Sequence, residues 1–427
     1  MSSTLTVNRD RLWTTLMEMG QVGALPHGGC CRSALSEDDK KGRDLFIRWC
    51  REAGCQVSFD AAGNIFARRA GRDSSLPAVA TGSHLDTQPH GGKFDGIYGV
   101  LAGLEVVRAL NDAHVATEAP IDVICWTNEE GVRFGPPLAG SLAFAGKIPV
   151  ATLHAQPTTD GTTVGEDLRR TGFLGEEFPG KRPLACFIEA HIEQGPILEA
   201  QAKTIGVVTH IIGIRWSIVT LTGVDSHAGT TPMNRRRDAL VGASEMITTL
   251  NQMARQQDDF ARLTVGKIEV SPNSGATIPG KATFVCDLRH PEASVLDSLE
   301  GRMHSAMREI ASQRGLGIEI ARSINIAPLG FSRELIDVVR DTANSLGYSN
   351  MDMLSGAGHD AMNVAQVVPT AMLFVPCKDG LSHNEAESAT PEDLAAGART
   401  LMHVLLARAC QVASLTGDAG ASGVGRG

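Results

Sequence analysis

The chain has 427 residues, 42% of them hydrophobic and 20% charged, which allows about two to four domains and excludes a short disulfide-stapled module. Its net charge of −9, from 39 basic and 48 acidic residues, gives no reason to expect nucleic acid or an anionic membrane as partner, because both need a basic surface. The nine cysteines include no C-x-x-C pair, and an odd count without framework spacing predicts reduced, mostly buried thiols in a cytoplasmic protein. Met1 to Leu12 shows no basic segment followed by an apolar one, so no signal peptide is expected. No apolar run reaches about 18 residues, so no membrane span is expected either.

Helix and strand signals alternate along the chain, which predicts an α/β protein. Ser36 and Asp39 read as a helix start, and the periodic stretch Asp38 to Ala53 stops at Gly54. Gln56 to Asp60 and Asn64 to Arg69 read as a hairpin. Pro77 to Thr81 is a short apolar strand running into Gly82-Ser83-His84-Leu85-Asp86-Thr87. Gly96 to Ala113 is the clearest helix, with Val100, Leu104, Val107 and Leu110 on one stripe. Ile121 to Trp126 is an apolar strand that runs into Thr127-Asn128-Glu129-Glu130, and Ala185 to Ala190 ends at His191. Three buried strands thus deliver polar residues at their C-terminal ends, where open α/β sheets build their sites.

From Ile212 to Leu329 the texture changes to a βαββαβ set, large enough for a separate inserted α+β domain. Its elements are Ile214 to Leu221, Asp238 to Gln257, Leu263 to Val270, Ala282 to Arg289, Ala293 to Arg314 and Gly317 to Ile324. Glu334 to Leu346 is then a helix, Thr370 to Val375 a strand and Pro391 to Leu415 the closing helix. The expected organisation is a first domain in two parts, 1–211 and 330–416, the inserted domain 212–329, and a flexible Gly/Ser/Ala-rich tail, 417–427.

Most of the histidines have no acidic company, but His84, His191 and His383 each lie at or just after a strand end, near glycines and carboxylates. A two-metal site needs a bridging carboxylate, terminal His or carboxylate ligands, and a further carboxylate that moves protons. Asp95 immediately precedes the Gly96 helix, and the dipole and unpaired N–H groups at a helix start suit a carboxylate there. Asp86, two residues after His84, is expected to hold its ring nitrogen; a polar loop capping a helix is the alternative for this segment. Glu129 and Glu130, adjacent in extended backbone, would point different ways, so one can bind metal while the other faces substrate as a general base. A nearby cation, with Arg133 the candidate, could neutralise the pair instead.

Seven motifs occur in order: Gly82-Ser83-His84-Leu85-Asp86-Thr87, Gly91-Gly92-Lys93-Phe94-Asp95-Gly96, Thr127-Asn128-Glu129-Glu130-Gly131, Glu189-Ala190-His191-Ile192-Glu193-Gln194-Gly195, Ser226-His227-Ala228-Gly229-Thr230-Thr231-Pro232-Met233, Ser355-Gly356-Ala357-Gly358-His359-Asp360-Ala361 and Ser382-His383-Asn384-Glu385. Together they resemble the N-carbamoyl-L-amino acid hydrolase, allantoate amidohydrolase and β-ureidopropionase group of the dinuclear-zinc M20 peptidase superfamily, over essentially Asp38 to Leu415. The resemblance implies a central mixed-sheet, helix-flanked dinuclear-metal catalytic domain with the inserted domain as lid and dimerisation domain. It implies two divalent ions per subunit. His84 and His191 would hold one ion, Glu130 and His383 the other, with Asp95 bridging and Glu129 as general base. Zinc is the expected metal, and manganese, cobalt and nickel suit the same donors. Related peptidases typically carry a carboxylate where this chain has His191, which favours an amidohydrolase.

The resemblance also assigns substrate contacts. His227 would stabilise the oxyanion, with a satisfied loop histidine as the alternative. Arg289 would clamp a substrate carboxylate, against a surface arginine paired with Glu292. Gln194 and the loop carrying Gly356 and His359 would line the pocket, the loop through its backbone; His359 and Asp360 as a structural pair is the alternative. One position departs from the pattern. The family usually has Asn thirteen residues before that arginine, where this chain has Ala276; Asn273 fills only an earlier slot. The implied reaction is removal of an N-carbamoyl (ureido) group from a small carboxylate substrate, foremost an N-carbamoyl-L-amino acid, by a homodimer built through the inserted domain. Allantoate or ureidoglycolate hydrolysis, and a dinuclear-zinc peptidase or N-acyl amino acid deacylase, are the alternatives.

Overall fold

Largely apolar runs on either side of the middle segment become strands buried on both faces. Ala78–His84, Ile121–Trp126 and Thr370–Val375 are buried at every position, the pattern of strands covered by helices above and below. The computed structural model describes residues 4–420, with side chains to residue 411. The chain divides into two compact units, one running to Thr209 and resuming at Phe331, the other His210–Gly330.

The first unit is built on a mixed sheet. Ala78–His84 lies parallel to Ile121–Trp126 on one side and to Leu184–Ile192 on the other, and Thr370–Val375 continues the parallel set beside Leu184–Ile192. Antiparallel strands flank this core: the hairpin Gln56–Phe59 with Ile65–Arg69, itself paired to Ile121–Trp126, and Ile205–Ile211 beside Thr370–Val375. Two strands run further than the sequence reading took them. Their ladders continue to the His84–Trp126 and His191–Phe374 pairs, so both histidines stand on rigid strands rather than in the loops that follow.

The helix Glu37–Glu52 begins as read, with the Ser36 hydroxyl accepting the Asp39 N–H at 3.2 Å. Ile97–Asp112 is buried on almost every side, because it packs on the His84 strand and is covered by Arg9–Met19 and Pro391–Gly420. The stripe of Val100, Leu104, Val107 and Leu110 is therefore only part of its apolar surface. Each such aliphatic side chain contributes about 1.5–3 kcal/mol by leaving water. The helix Arg9–Met19, the strand Ile205–Ile211 and the strand Asn350–Ser355 were not legible. The last helix, Pro391–Gly420, runs past Leu415 into the stretch expected to be flexible; residues 421–427 of that tail lie outside the described residues.

The second unit has a four-stranded antiparallel sheet in the order Gly317–Ile326, Gly213–Thr222, Lys281–His290 and Arg262–Ser271. Helices Ala239–Arg255 and Ala293–Gln313 supply its core. Along Lys281–His290, Ala282, Phe284, Cys286 and Leu288 are buried in that core, while Asp287 and Arg289 alternate with them on the other face. No helix among the described residues is long and apolar enough to cross a membrane. All nine cysteines are free thiols, seven of them buried.

Candidate metal centre

The ends of the parallel strands and the start of the Ile97–Asp112 helix converge on Asp95. Its Oδ1 lies 3.2 Å from His191 Nε2 and 3.8 Å from His84 Nε2, and its Oδ2 lies 3.2 Å from His383 Nε2. His383 Nε2 is in turn 3.5 Å from Glu130 Oε2, and His84 Nε2 is 3.7 Å from Glu129 Oε2. Two groups close enough to hold a metal ion therefore share one carboxylate: His84, Asp95 and His191, and Asp95, Glu130 and His383. His84, Asp95 and His191 are buried, whereas the His383 side chain is 52% exposed and opens the centre to solvent.

Gly96 makes this approach possible. It adopts φ +68°, and a Cβ there would sit 2.2 Å from His84 Nε2, so only glycine can follow Asp95 under that imidazole. The ring tautomers are set by backbone carbonyls. His84 Nδ1–H donates to Asp86 O and His191 Nδ1–H to Ile192 O, both at 2.9 Å, so that in the neutral ring each Nε2 lone pair faces Asp95. His191 Nε2 also meets the Gly96 N–H at 3.0 Å.

Asp86 differs from its expected role. Its carbonyl, not its carboxylate, holds His84; the carboxylate accepts the N–H groups of Glu129 at 3.3 Å and Glu130 at 3.2 Å. The reason is local geometry: Thr127 to Gly131 is a bend rather than extended chain, with Asn128 at φ 57°, and it presents its amides to Asp86. The two glutamates still diverge, Glu129 toward His84 and Glu130 toward His383. Glu130 is also gripped by Gln88, through the backbone N–H at 3.1 Å and Nε2 at 2.7 Å, a support the sequence reading missed. Arg133 does not neutralise the pair. It is bound to Asp160 at 2.8 Å and Asp167 at 2.6 Å.

The electrostatics suit divalent cations. Asp95, Glu129 and Glu130 gather in one place, and among the described residues the ion pairs they make are with histidines alone. Burial first, and the Glu130 charge second, hold the Glu129 carboxyl well above the ordinary range. Burial and the Asp95 charge push Glu130 up to about 8. Burial pulls His191 down, but its hydrogen bond to Asp95 and the charge there outweigh this and raise it to about 9. The Asp95 hydrogen bond likewise raises His383 to about 9. Such a crowd of acids and mixed N/O donors fits hard or borderline divalent ions.

The remaining candidates fall in several places. Gln194 Nε2 donates to Asp95 Oδ2 at 2.9 Å, so its amide is used on the shared carboxylate. His359 is buried, its ring 4.5 Å from that of His191 and its Nε2 3.0 Å from Ser355 Oγ. Gly356 lies on the exposed part of that loop. A third cluster, Glu189 with His191 and His359, is already satisfied: Glu189 accepts the Ser83 hydroxyl at 2.6 Å and the Ala361 N–H at 2.8 Å. In the second unit His227 is exposed, and its Nδ1 accepts the N–H groups of Gly229 at 3.0 Å and Thr230 at 3.2 Å. The neutral ring then carries its proton on Nε2, as a hydrogen-bond donor. Arg289 pairs with Asp287, Nη2 to Oδ2 at 2.8 Å, where the sequence alternative had Glu292 as its partner. Asn273 is exposed, and Ala276 lies beside His227, its carbonyl accepting the Ala228 N–H at 3.0 Å.

A helix-flanked mixed sheet with paired metal-ligand groups at its strand ends defines a class, and sequence comparison gives the same one: residues 80–407 match the family described as Peptidase family M20/M25/M40, and the chain belongs to it. Membership implies divalent-metal binding. Within that family the chain is similar to N-carbamoyl-L-amino-acid amidohydrolase of Rhizobium meliloti, 44% identical over 400 residues, 94% of this chain and 96% of that protein. It is also similar to allantoate amidohydrolase of Escherichia coli K12, 34% identical over 405 residues, 94% and 98% of the two chains. The crystal structure of an amidase of the hydantoinase/carbamoylase family from Burkholderia multivorans superposes with a TM-score of 0.92, at 50% identity over 95% of this chain and 99% of that one. The resemblance read from the seven motifs is borne out.

Proposed function

We propose that the protein is a divalent-metal-dependent amidohydrolase that cleaves the N-carbamoyl group of a small carboxylate substrate, foremost an N-carbamoyl-L-amino acid. The reaction is R–NH–CO–NH2 plus water giving R–NH2, CO2 and ammonia. The observation that carries this reading is Asp95, whose two oxygens face separate histidine sets, in a chain related over nearly its whole length to amidohydrolases acting on N-carbamoyl-L-amino acids.

In this reading His84, Asp95 and His191 hold one ion and Asp95, Glu130 and His383 a second, with zinc the proposed metal. Divalent ions there would supply an acidified water and a polarised carbonyl. Glu129 takes the proton of the attacking water and returns it to the leaving nitrogen. His227 Nε2–H donates to the oxyanion, and Arg289, its Nε and Nη2 on Asp287, binds the substrate carboxylate through charge. The free thiols support a place in the cytoplasm.

The reading includes a homodimer formed through the inserted domain. Support comes from register: Arg289 is eight residues along an extended strand from Lys281, roughly 26 Å at about 3.3 Å per residue, and His227 lies on the far side of Lys281, paired with Thr277. One small substrate does not span that separation. A second protomer then supplies one of the two residues.

The test is ammonia release by metal-reconstituted protein from N-carbamoyl-L-amino acids of varied side chain, N-carbamoyl-β-alanine, allantoate and ureidoglycolate, with N-acetyl-amino acids and dipeptides scored by amine release. Ammonia from N-carbamoyl-L-amino acids is the expected result. Preferred turnover of allantoate or ureidoglycolate would move the substrate, and amine from the controls alone would overturn the reaction.

A further inference from the structure

Asp95 can face two histidine sets only if its short side chain is held in one orientation, and the residues that hold it come from the other end of the chain. Glu387, 2% exposed, accepts the backbone N–H groups of Phe94 at 2.9 Å and Asp95 at 3.1 Å on Oε1. Its Oε2 accepts the Ser382 hydroxyl at 2.8 Å, and the same hydroxyl lies 3.1 Å from Asp95 Oδ2.

A hydroxyl has one hydrogen and serves one carboxylate at a time. Gln194 resolves the conflict. Its Nε2 is 2.9 Å from Asp95 Oδ2 and 3.1 Å from Ser382 Oγ, and an amide has two hydrogens. The three atoms stand at the corners of a triangle, so one of those hydrogens serves Asp95 and leaves the Ser382 hydroxyl for Glu387. Glu387 keeps three hydrogen-bond donors, two backbone amides and one hydroxyl.

The room for this carboxylate is built in. A Cβ on Gly92 would lie 2.0 Å from Glu387 Oε1 and 2.5 Å from its Cβ, so the Gly91-Gly92 turn is shaped around Glu387. The neighbouring Glu385 does something else, turning to His90 at 2.9 Å.

We propose that Glu387 is a positioning residue that fixes Asp95 for metal binding, directly through the Phe94 and Asp95 amides and indirectly through Ser382 and Gln194. The inference rests on the reading of Asp95 as the shared ligand. Glu387 itself belongs to neither ligand group.

The experiment uses full-length E387A, E387Q, S382A and D95N, with zinc affinity measured by competition against a chromophoric chelator, circular dichroism as the folding check, and kcat and KM measured separately. Loss of an outer partner of a metal ligand typically costs about 10- to 100-fold in metal affinity, so E387A should fold and fall in that range. E387Q keeps an oxygen for both amides and should recover to within about fivefold of wild type, and S382A should lose roughly three- to tenfold. Folded E387A with zinc affinity within about twofold of wild type overturns the proposal. Should E387A not fold, S382A decides: unchanged affinity there overturns it equally. D95N separates the two layers. Wild-type zinc affinity in D95N would remove Asp95 as a ligand, whatever Glu387 does.

Discussion

The carboxylate of Asp86 receives the backbone N–H of Glu129 on one oxygen, at 3.3 Å, and that of Glu130 on the other, at 3.2 Å. One side chain therefore sets the bend from which both acids of the site project. Asp86 is itself buried, which with some relief from Arg43 raises its carboxyl to about 6. In Asp86→Ala both amides lose their acceptor and the bend relaxes. We expect kcat to fall about 10- to 100-fold, the usual cost of losing an outer-shell partner, with KM nearly unchanged; steady-state kinetics on the best ureido substrate checks this.

Glu129 is placed to move protons, and the ligand sets do not require it. Glu129→Gln should keep the metal content of the wild type while kcat drops about 10²- to 10⁴-fold, the range for a general acid–base group. Elemental analysis alongside turnover decides the point. Retained turnover would remove the role.

Removal of divalent metal by a chelator should abolish ammonia release, and zinc or manganese should restore it. The same treatment should lower the melting temperature, because an ion at 100 times its Kd stabilises the folded chain by about 2.7 kcal/mol. A chelator-treated protein with unchanged activity and unchanged melting would contradict the metal centre.

Gly96→Ala introduces a methyl 2.2 Å from His84 Nε2 at a backbone φ of +68°. That backbone, with ψ −47°, alone costs about 1–3 kcal/mol for a residue with Cβ, and the imidazole must also move. Urea unfolding should show at least that loss, and bound metal should fall with it.

Arg289→Ala should raise KM about 10- to 100-fold for a carboxylate substrate, the worth of a charge-assisted hydrogen bond, and much less for the corresponding N-carbamoyl amino acid amide. Equal effects on both substrates would mean that Arg289 does not read the carboxylate. Asp287 holds the guanidinium at 2.8 Å.

Much of the molecule was legible because it is local. The runs Ile121–Trp126 and Thr370–Val375 are apolar because both their faces are covered, and the alternation in Lys281–His290 marks a sheet with one covered face. His84 and His191 stand at strand ends and Asp95 at a helix start, where residue type and position together signal chemistry, while Glu130 and His383 lie in the loops beyond Trp126 and Val375. What the chain order hides is which distant groups meet. Asp86 turned from its neighbour His84 to amides 43 and 44 residues away, Arg133 left Glu129 and Glu130 for Asp160 and Asp167, and Glu387 reached back 292 residues to the Asp95 amide. Hydrophobic patterning is a sum over many neighbours along the chain and survives in the sequence. A hydrogen bond depends on a few tenths of an ångström between groups that only the folded backbone brings together, so the partners that orient the site were decided by the tertiary structure alone.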